Sequence, residues 1–128
     1  MSFTDPIGDL LTRIRNAQHG RHTDCRAPWS KIKQGICDLL QKHGFVAESR
    51  VEGEGKEKEV VVVFKSDRAP LILGRVSRPG GRKYVGYTEI RHLLHGNALA
   101  IVSTSHGLLT QHEAKEQKVG GEVLCTIS

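Results

Sequence analysis

Aliphatic residues in this 128-residue chain recur in short runs, and the period of those runs changes along the sequence. Near the N-terminus Ile7, Leu10, Leu11 and Ile14 stand at i, i+3, i+4 and i+7, the spacing of one helical face. Thr4 or Asp5 is placed to cap that helix, Pro6 suits its first turn, and Gly20 closes it. A short extended piece ends at Pro28. Ser30 then caps a second helix whose core face reads Ile32, Ile36, Leu39 and Leu40, with Gly44 at its C-terminal end. Beyond Gly44 the pattern shortens to strand length, in FVAESRV (45–51) and EVVVVF (59–64), joined by the polar stretch EGEGKEKE. No run approaches the length of a membrane span.

The second half reads mostly as strands. KSDRAP (65–70) is the connector, followed by LILGRVS (71–77), a turn at Pro79-Gly80-Gly81, and RKYVGY (82–87). A short helix is expected from about Thr88 to His95, then the strand ALAIVSTS (98–105), a polar helix QHEAKEQ (111–117) and a last strand GEVLCTI (121–127). This order predicts an α+β fold of two small modules. Residues 1–66 form an N-terminal α/β module (helix-strand-helix-strand-strand), and residues 67–128 a C-terminal, mostly β module with short helices. With one Trp, two Tyr and three Phe, the core must be aliphatic.

Lys and Arg outnumber Asp and Glu by 19 to 14, a formal charge of +5, which favours anionic partners and nucleic acid first. Cys25, Cys37 and Cys125 are odd in number and share no Cys-x-x-Cys spacing. That argues against a disulfide framework and for a reducing compartment. The first residues mix acids and arginines with apolar side chains, unlike a signal peptide, so the chain reads as cytosolic.

The stretch ALAIVSTSHG (98–107) admits three readings: a nucleophile, a turn, or a polar edge built to hold something. Ser105 and His106, adjacent in an extended segment, would point to opposite faces and could not act as nucleophile and base. No Gly-x-Ser-x-Gly elbow is present. His19, His22 and Cys25, or His92 and His95, have three-residue spacings without a completing ligand set, and GRVSRPGGRK lacks phosphate-loop spacing. From Arg75 to Arg91 the bases Arg75, Arg78, Arg82, Lys83 and Arg91 meet one acid, Glu89, with Tyr84 and Tyr87 among them. Bases interleaved with aromatics suit RNA phosphates and splayed nucleotides. Gly107, Gly120 and Gly121 permit close backbone approach. On residue chemistry alone, RNA binding leads, while a plain turn, a small hydrolase using the hydroxyls and a protein-interaction adaptor stay open.

Five collinear motifs together resemble the bacterial form of a known family, small-subunit ribosomal protein eight. They are TDPIGDLLTRIRNA, SKIK, RVSRPGGRKYVG, AIVSTSHGLLT and GGEVLC, and they span essentially the whole chain. The resemblance implies a non-catalytic, cofactor-free structural component of the small ribosomal subunit, monomeric when free and not membrane-bound. It would bind an irregular helix in the central domain of small-subunit rRNA, helping assemble the platform, with proteins five and twelve as neighbours. Repression of its own operon mRNA is a further implied role. By this resemblance Ser103, Thr104, Ser105, Gly107, Tyr84 and Glu122 contact the irregular RNA core. Arg78 and Arg82 flank them in the matching basic turn. Thr4, Asp5, Arg13, Arg15 and Asn16 form a second surface, with Lys31 and Lys33 near phosphates. Departures from the usual pattern are Gly81, Lys83, Ala98, Thr126, Ser128 and His106, which stands in place of a lysine.

Overall fold

The computed structural model describes residues 5–94 and 96–128. The fold is α+β, with three α-helices and two antiparallel sheets among the described residues. It divides into two compact units, one reaching as far as Leu71 and the other spanning Ile72–Ser128.

In the first unit, helix α1 (Pro6–His19) starts where Asp5 accepts a hydrogen bond from the Gly8 amide, with Pro6 in the first turn. Gly20 ends it with an ordinary φ of −78°; the left-handed residue is Arg21, at φ 59°. Strand β1 (Asp24–Pro28) leads to α2 (Lys31–Lys42), capped by Ser30 on the Lys33 amide. Gly44, at φ +77°, supplies the left-handed turn that lets the chain leave α2. Strands β2 (Glu48–Glu52) and β3 (Glu59–Val63) follow, separated by a 3₁₀ turn at Gly55–Glu57 inside the polar loop. The sheet order is β1-β3-β2, so the valine run is the central strand.

That position explains why Val60, Val61 and Val62 are all buried. Val60 and Val62 align with Ala27 and Cys25, sharing the face that the helices cover. Val61 points the other way, between Arg26 and Arg50 on the neighbouring strands. Those two arginines pair with Glu52, and their aliphatic stems shield the valine from water. Leu10, Leu11 and Ile14 from α1 and Ile36, Cys37, Leu39 and Leu40 from α2 complete this core. Ile32 is only half-buried; its neighbour Lys33 takes the buried place instead.

In the second unit the last strand has its expected bounds, while the strands expected at 71–77, 82–87 and 98–105 are shorter. The strands are β4 (Leu73–Arg75), β5 (Tyr84–Val85), β6 (Leu99–Thr104), β7 (Gly107–Thr110) and β8 (Gly121–Ile127), with α3 (Gln111–Gln117) before the last strand. The sheet runs β4-β8-β6-β7, and β5 also pairs with β8. Leu71 belongs to the first unit, where its backbone exchanges hydrogen bonds with the Gln18 side chain. The helix expected at 88–95 is a single 3₁₀ turn, Ile90–Leu93, and His95 is outside the described residues. Ile90 anchors that turn in a core with Ala100, Val102, Leu109, Ala114 and Val123. Thr110 and Glu113 form a reciprocal capping box that starts α3 directly at the end of β7. The Gln111 side chain then bonds the Ala100 amide and the Ala98 carbonyl, extending the pairing at the start of β6.

The three cysteines are free and buried, Cys25 and Cys37 in the first unit and Cys125 in the second. Burial pushes the thiol of Cys25 up to about 11 and those of Cys37 and Cys125 to about 12.

Candidate nucleic-acid interface

Antiparallel pairing sets the geometry of the candidate site. Tyr84 on β5 pairs with Glu122 on β8, and Glu122 pairs with Ser103 on β6. Partners directly opposite share a sheet face, so the three form one row across three strands. Their neighbours Val102 and Val123 point into the core, which puts the row on the opposite face. Tyr84 is 70% exposed, a large value for an aromatic and one that leaves its ring open to an incoming partner. Glu122 is largely covered and holds the Arg82 guanidinium at 3.3 Å.

Two glycines make this row possible. A Cβ on Gly121 would strike the Ser103 carbonyl oxygen, and one on Gly120 would lie 2.6 Å from the Val85 carbonyl oxygen. Only bare backbone lets β8 run this close to both neighbours. The basic turn is held separately. Arg78 and Gly81 exchange backbone hydrogen bonds, and the buried Ser77 hydroxyl accepts a 2.8 Å bond from the Lys83 amide. Arg78, Arg82 and Lys83 stay exposed around it. Ser77 is a supporting residue that sequence reasoning overlooked, because a serine beside a basic turn looks like one more surface hydroxyl.

The hydroxyl run divides between strand and turn. Strand β6 ends at Thr104, which pairs with Gly107, so Ser105 and His106 form the hairpin loop rather than continuing the strand. Neither has a positive φ; Gly107 does, at +96°. This fits a type I turn closed by a glycine bulge. The Thr104 hydroxyl donates to the Gly107 carbonyl at 2.9 Å and accepts from the His106 amide at 3.0 Å, so it is committed to the turn. His106 Nδ1 lies 2.6 Å from the Gln117 carboxamide oxygen and acts as the donor. Ser105 is exposed at the tip, with no side-chain partner among the described residues. A nucleophile-base pair is therefore not assembled in this run: the histidine faces α3, and the threonine hydroxyl is occupied.

The sequence matches the family model described as Ribosomal protein S8 over residues 5–128. The chain belongs to that family. Similar proteins include the small ribosomal subunit protein uS8 of Anaeromyxobacter dehalogenans strain 2CP-C, 46% identical with 99% of each chain covered. Those of Chloroflexus aurantiacus and a Synechococcus strain are 44% and 41% identical at the same coverage.

The remaining residues that the family resemblance singled out are in the first unit, except Thr4, which falls outside the described residues. Asp5 caps α1; Arg13, Arg15 and Asn16 are exposed along it, and Lys31 is exposed at the start of α2. Lys33 departs from the expectation of a residue near phosphates. Its side chain is 7% exposed, and its ammonium donates to Asp9 at 2.6 Å and to the Pro28 carbonyl at 3.1 Å. Asp9 also accepts from Arg13 at 2.9 Å. Burial alone would raise the Asp9 carboxyl, but its bonds to Lys33 and Arg13 outweigh that and hold it below the ordinary range. Lys33 thus ties the two helices together, with its charge already matched inside the fold. Asp9 was missed; its place four residues before Arg13 on one helix face was the available signal.

Proposed function

We propose that this chain is a structural component of the small ribosomal subunit that binds rRNA directly, with the second unit as its main recognition module. The observation that carries this reading is the row Tyr84–Glu122–Ser103 and the Ser105 tip beside it. An exposed phenol, a covered carboxylate and the Ser103 hydroxyl offer stacking, acceptors and a donor on one sheet face, and the Ser105 hydroxyl adds another at the hairpin tip. A uniform phosphate grip cannot tell an unusual RNA shape from an ordinary duplex; contacts of this kind can. Arg78 and Arg82 supply the electrostatic part beside the row. Asp5, Arg13, Arg15, Asn16 and Lys31 make a second RNA surface on the first unit.

The family's small-subunit naming supports the ribosomal setting. The RNA we propose is the irregular, partly unpaired helix of the central domain of small-subunit rRNA. The associated roles are platform assembly next to proteins five and twelve, repression of the operon mRNA through a similar hairpin, and residence in the cytoplasmic ribosome. The test is a salt-titrated binding assay on two RNAs, that helix and the same helix repaired to regular pairing. A preference for the irregular RNA of about 4 kcal/mol or more is expected, the scale of specific over non-specific binding. Equal affinities, both abolished by salt, would reduce the site to a basic patch.

A further inference from the structure

A groove of about 690 Å³ lies elsewhere in the second unit, between the 3₁₀ turn at Ile90–Leu93 with its following loop and the first turns of α3. It is separated from the hydroxyl edge in two ways. It sits by Ala98, just before β6, six residues or roughly 20 Å from Thr104 at the usual strand rise. It is also on the α3 side of the sheet, since Ala114 of α3 packs with Val102 and Val123, opposite the Tyr84–Glu122–Ser103 row.

Among the described residues, Arg91, His112 and Lys115 line the groove and no carboxylate does. All three are exposed, and none has an ion-pair or hydrogen-bond partner for its side chain among the described residues. Of the acids near it, Glu89 lies 3.5 Å from His92, Glu113 closes the capping box, and Glu116 is exposed on α3 outside the lining. Arg82, by contrast, already has Glu122. The groove therefore presents the Arg91 and Lys115 charges with no carboxylate beside them in its described lining. Tyr87 and Asn97 add a ring and a carboxamide beside those cations.

We propose that this groove binds a single-stranded RNA segment of one or two nucleotides, separate from the hydroxyl edge. Arg91 and Lys115 would hold phosphates, Tyr87 would take a base by stacking, and Asn97 would hydrogen-bond a base edge or sugar. The volume suits this occupant, and the aromatic favours RNA over an acidic peptide, which would need only the cations. The inference rests on the chain binding RNA, but not on the hydroxyl edge being the primary contact.

The experiment uses the full chain and fluorescein-labelled hexauridylate, with amide chemical shifts to locate binding. Hexauridylate should move the Gly96 and Asn97 amides. The double variant Arg91→Gln/Lys115→Gln should weaken it about tenfold and lower the slope of log affinity against log salt by about 1.4, two single-strand phosphate contacts. Both residues are exposed and unpaired, so the variant should fold. The double variant should keep any preference for the irregular helix over the repaired one. If the groove amides stay still under hexauridylate, the proposal fails whatever the variants do. If hexaglutamate moves them and displaces hexauridylate at equal or lower concentration, the groove belongs to an acidic protein segment and the RNA assignment is wrong. Loss of discrimination between the two helices, with the groove shifts intact, would overturn the function proposed above and leave the groove standing.

Discussion

Individual side chains in the second unit divide the work of binding between charge and shape. Ser105, exposed and unpartnered at the hairpin tip, contributes no ion pair, so Ser105→Ala should weaken the irregular RNA while hardly affecting a regular duplex. Parallel titrations check this, and equal loss on both RNAs would remove Ser105 from the recognition edge. Arg82→Ala should weaken both RNAs and lower the salt slope by about 0.9 for one lost phosphate contact. An unchanged slope would mean that Arg82 serves Glu122 alone. In the first unit, Asp9→Asn leaves the Lys33 ammonium buried against one carbonyl. The expected loss is about 1–2 kcal/mol at neutral pH, the low end for a broken pair because Asp9 itself is open to solvent. The Asp9 carboxyl is depressed in the folded state, so its contribution is present above the unfolded value and disappears as pH falls through the lower folded one. Urea melts of Asp9→Asn and the parent should therefore differ at pH 7 and converge in strong acid. The burial of Lys33 is not legible in SKIK, which says nothing about the acid on the other helix that takes it inside.

At the scale of elements, the parts set by local chemistry were readable and the parts set by neighbours were not. Asp5 and Ser30 as caps, Gly44 as a stop and EVVVV as a strand all follow from residues next to one another. The strand β7 was overlooked because Gly107–Thr110 becomes a strand only by folding back on β6. His106 sits in the hairpin loop for the same reason, and its ring is oriented by Gln117, eleven residues on. The Arg82, Tyr84 and Glu122 alignment likewise depends on register, which no single segment displays. Two glycines in this region have different reasons to be glycine, and their alanine variants should fail differently. A Cβ on Gly121 meets backbone on β6, 3.0 Å from the Ser103 carbonyl carbon and 3.2 Å from the Thr104 Cα, so β6 and β8 must separate. The expected cost of Gly121→Ala is about 1–3 kcal/mol. Its spectrum should show shifts spread along both strands. A Cβ on Gly107 meets open space, and its penalty comes from φ +96° alone. Gly107→Ala should cost about 1–2 kcal/mol, with changes confined to the hairpin tip. Matching patterns of amide shifts in the two variants would contradict this distinction.

Across the whole molecule, each unit conceals at least one thiol that burial keeps protonated: Cys25 and Cys37 in the first, Cys125 in the second. With thiols at about 11 to 12, the reactive thiolate is roughly one part in ten thousand or less at neutral pH. Alkylation under native conditions then waits on local or global opening, and the adduct records which part opened. The chain is thereby equipped with a clock in each half. Brief exposure to iodoacetamide, followed by peptide mass analysis, should give similar rates for Cys25 and Cys125 if the units open together. A faster Cys125 would show that the second half loosens first. Repeating the pulse with RNA bound would convert those rates into a map of what the nucleic acid holds shut, obtained without introducing a single substitution.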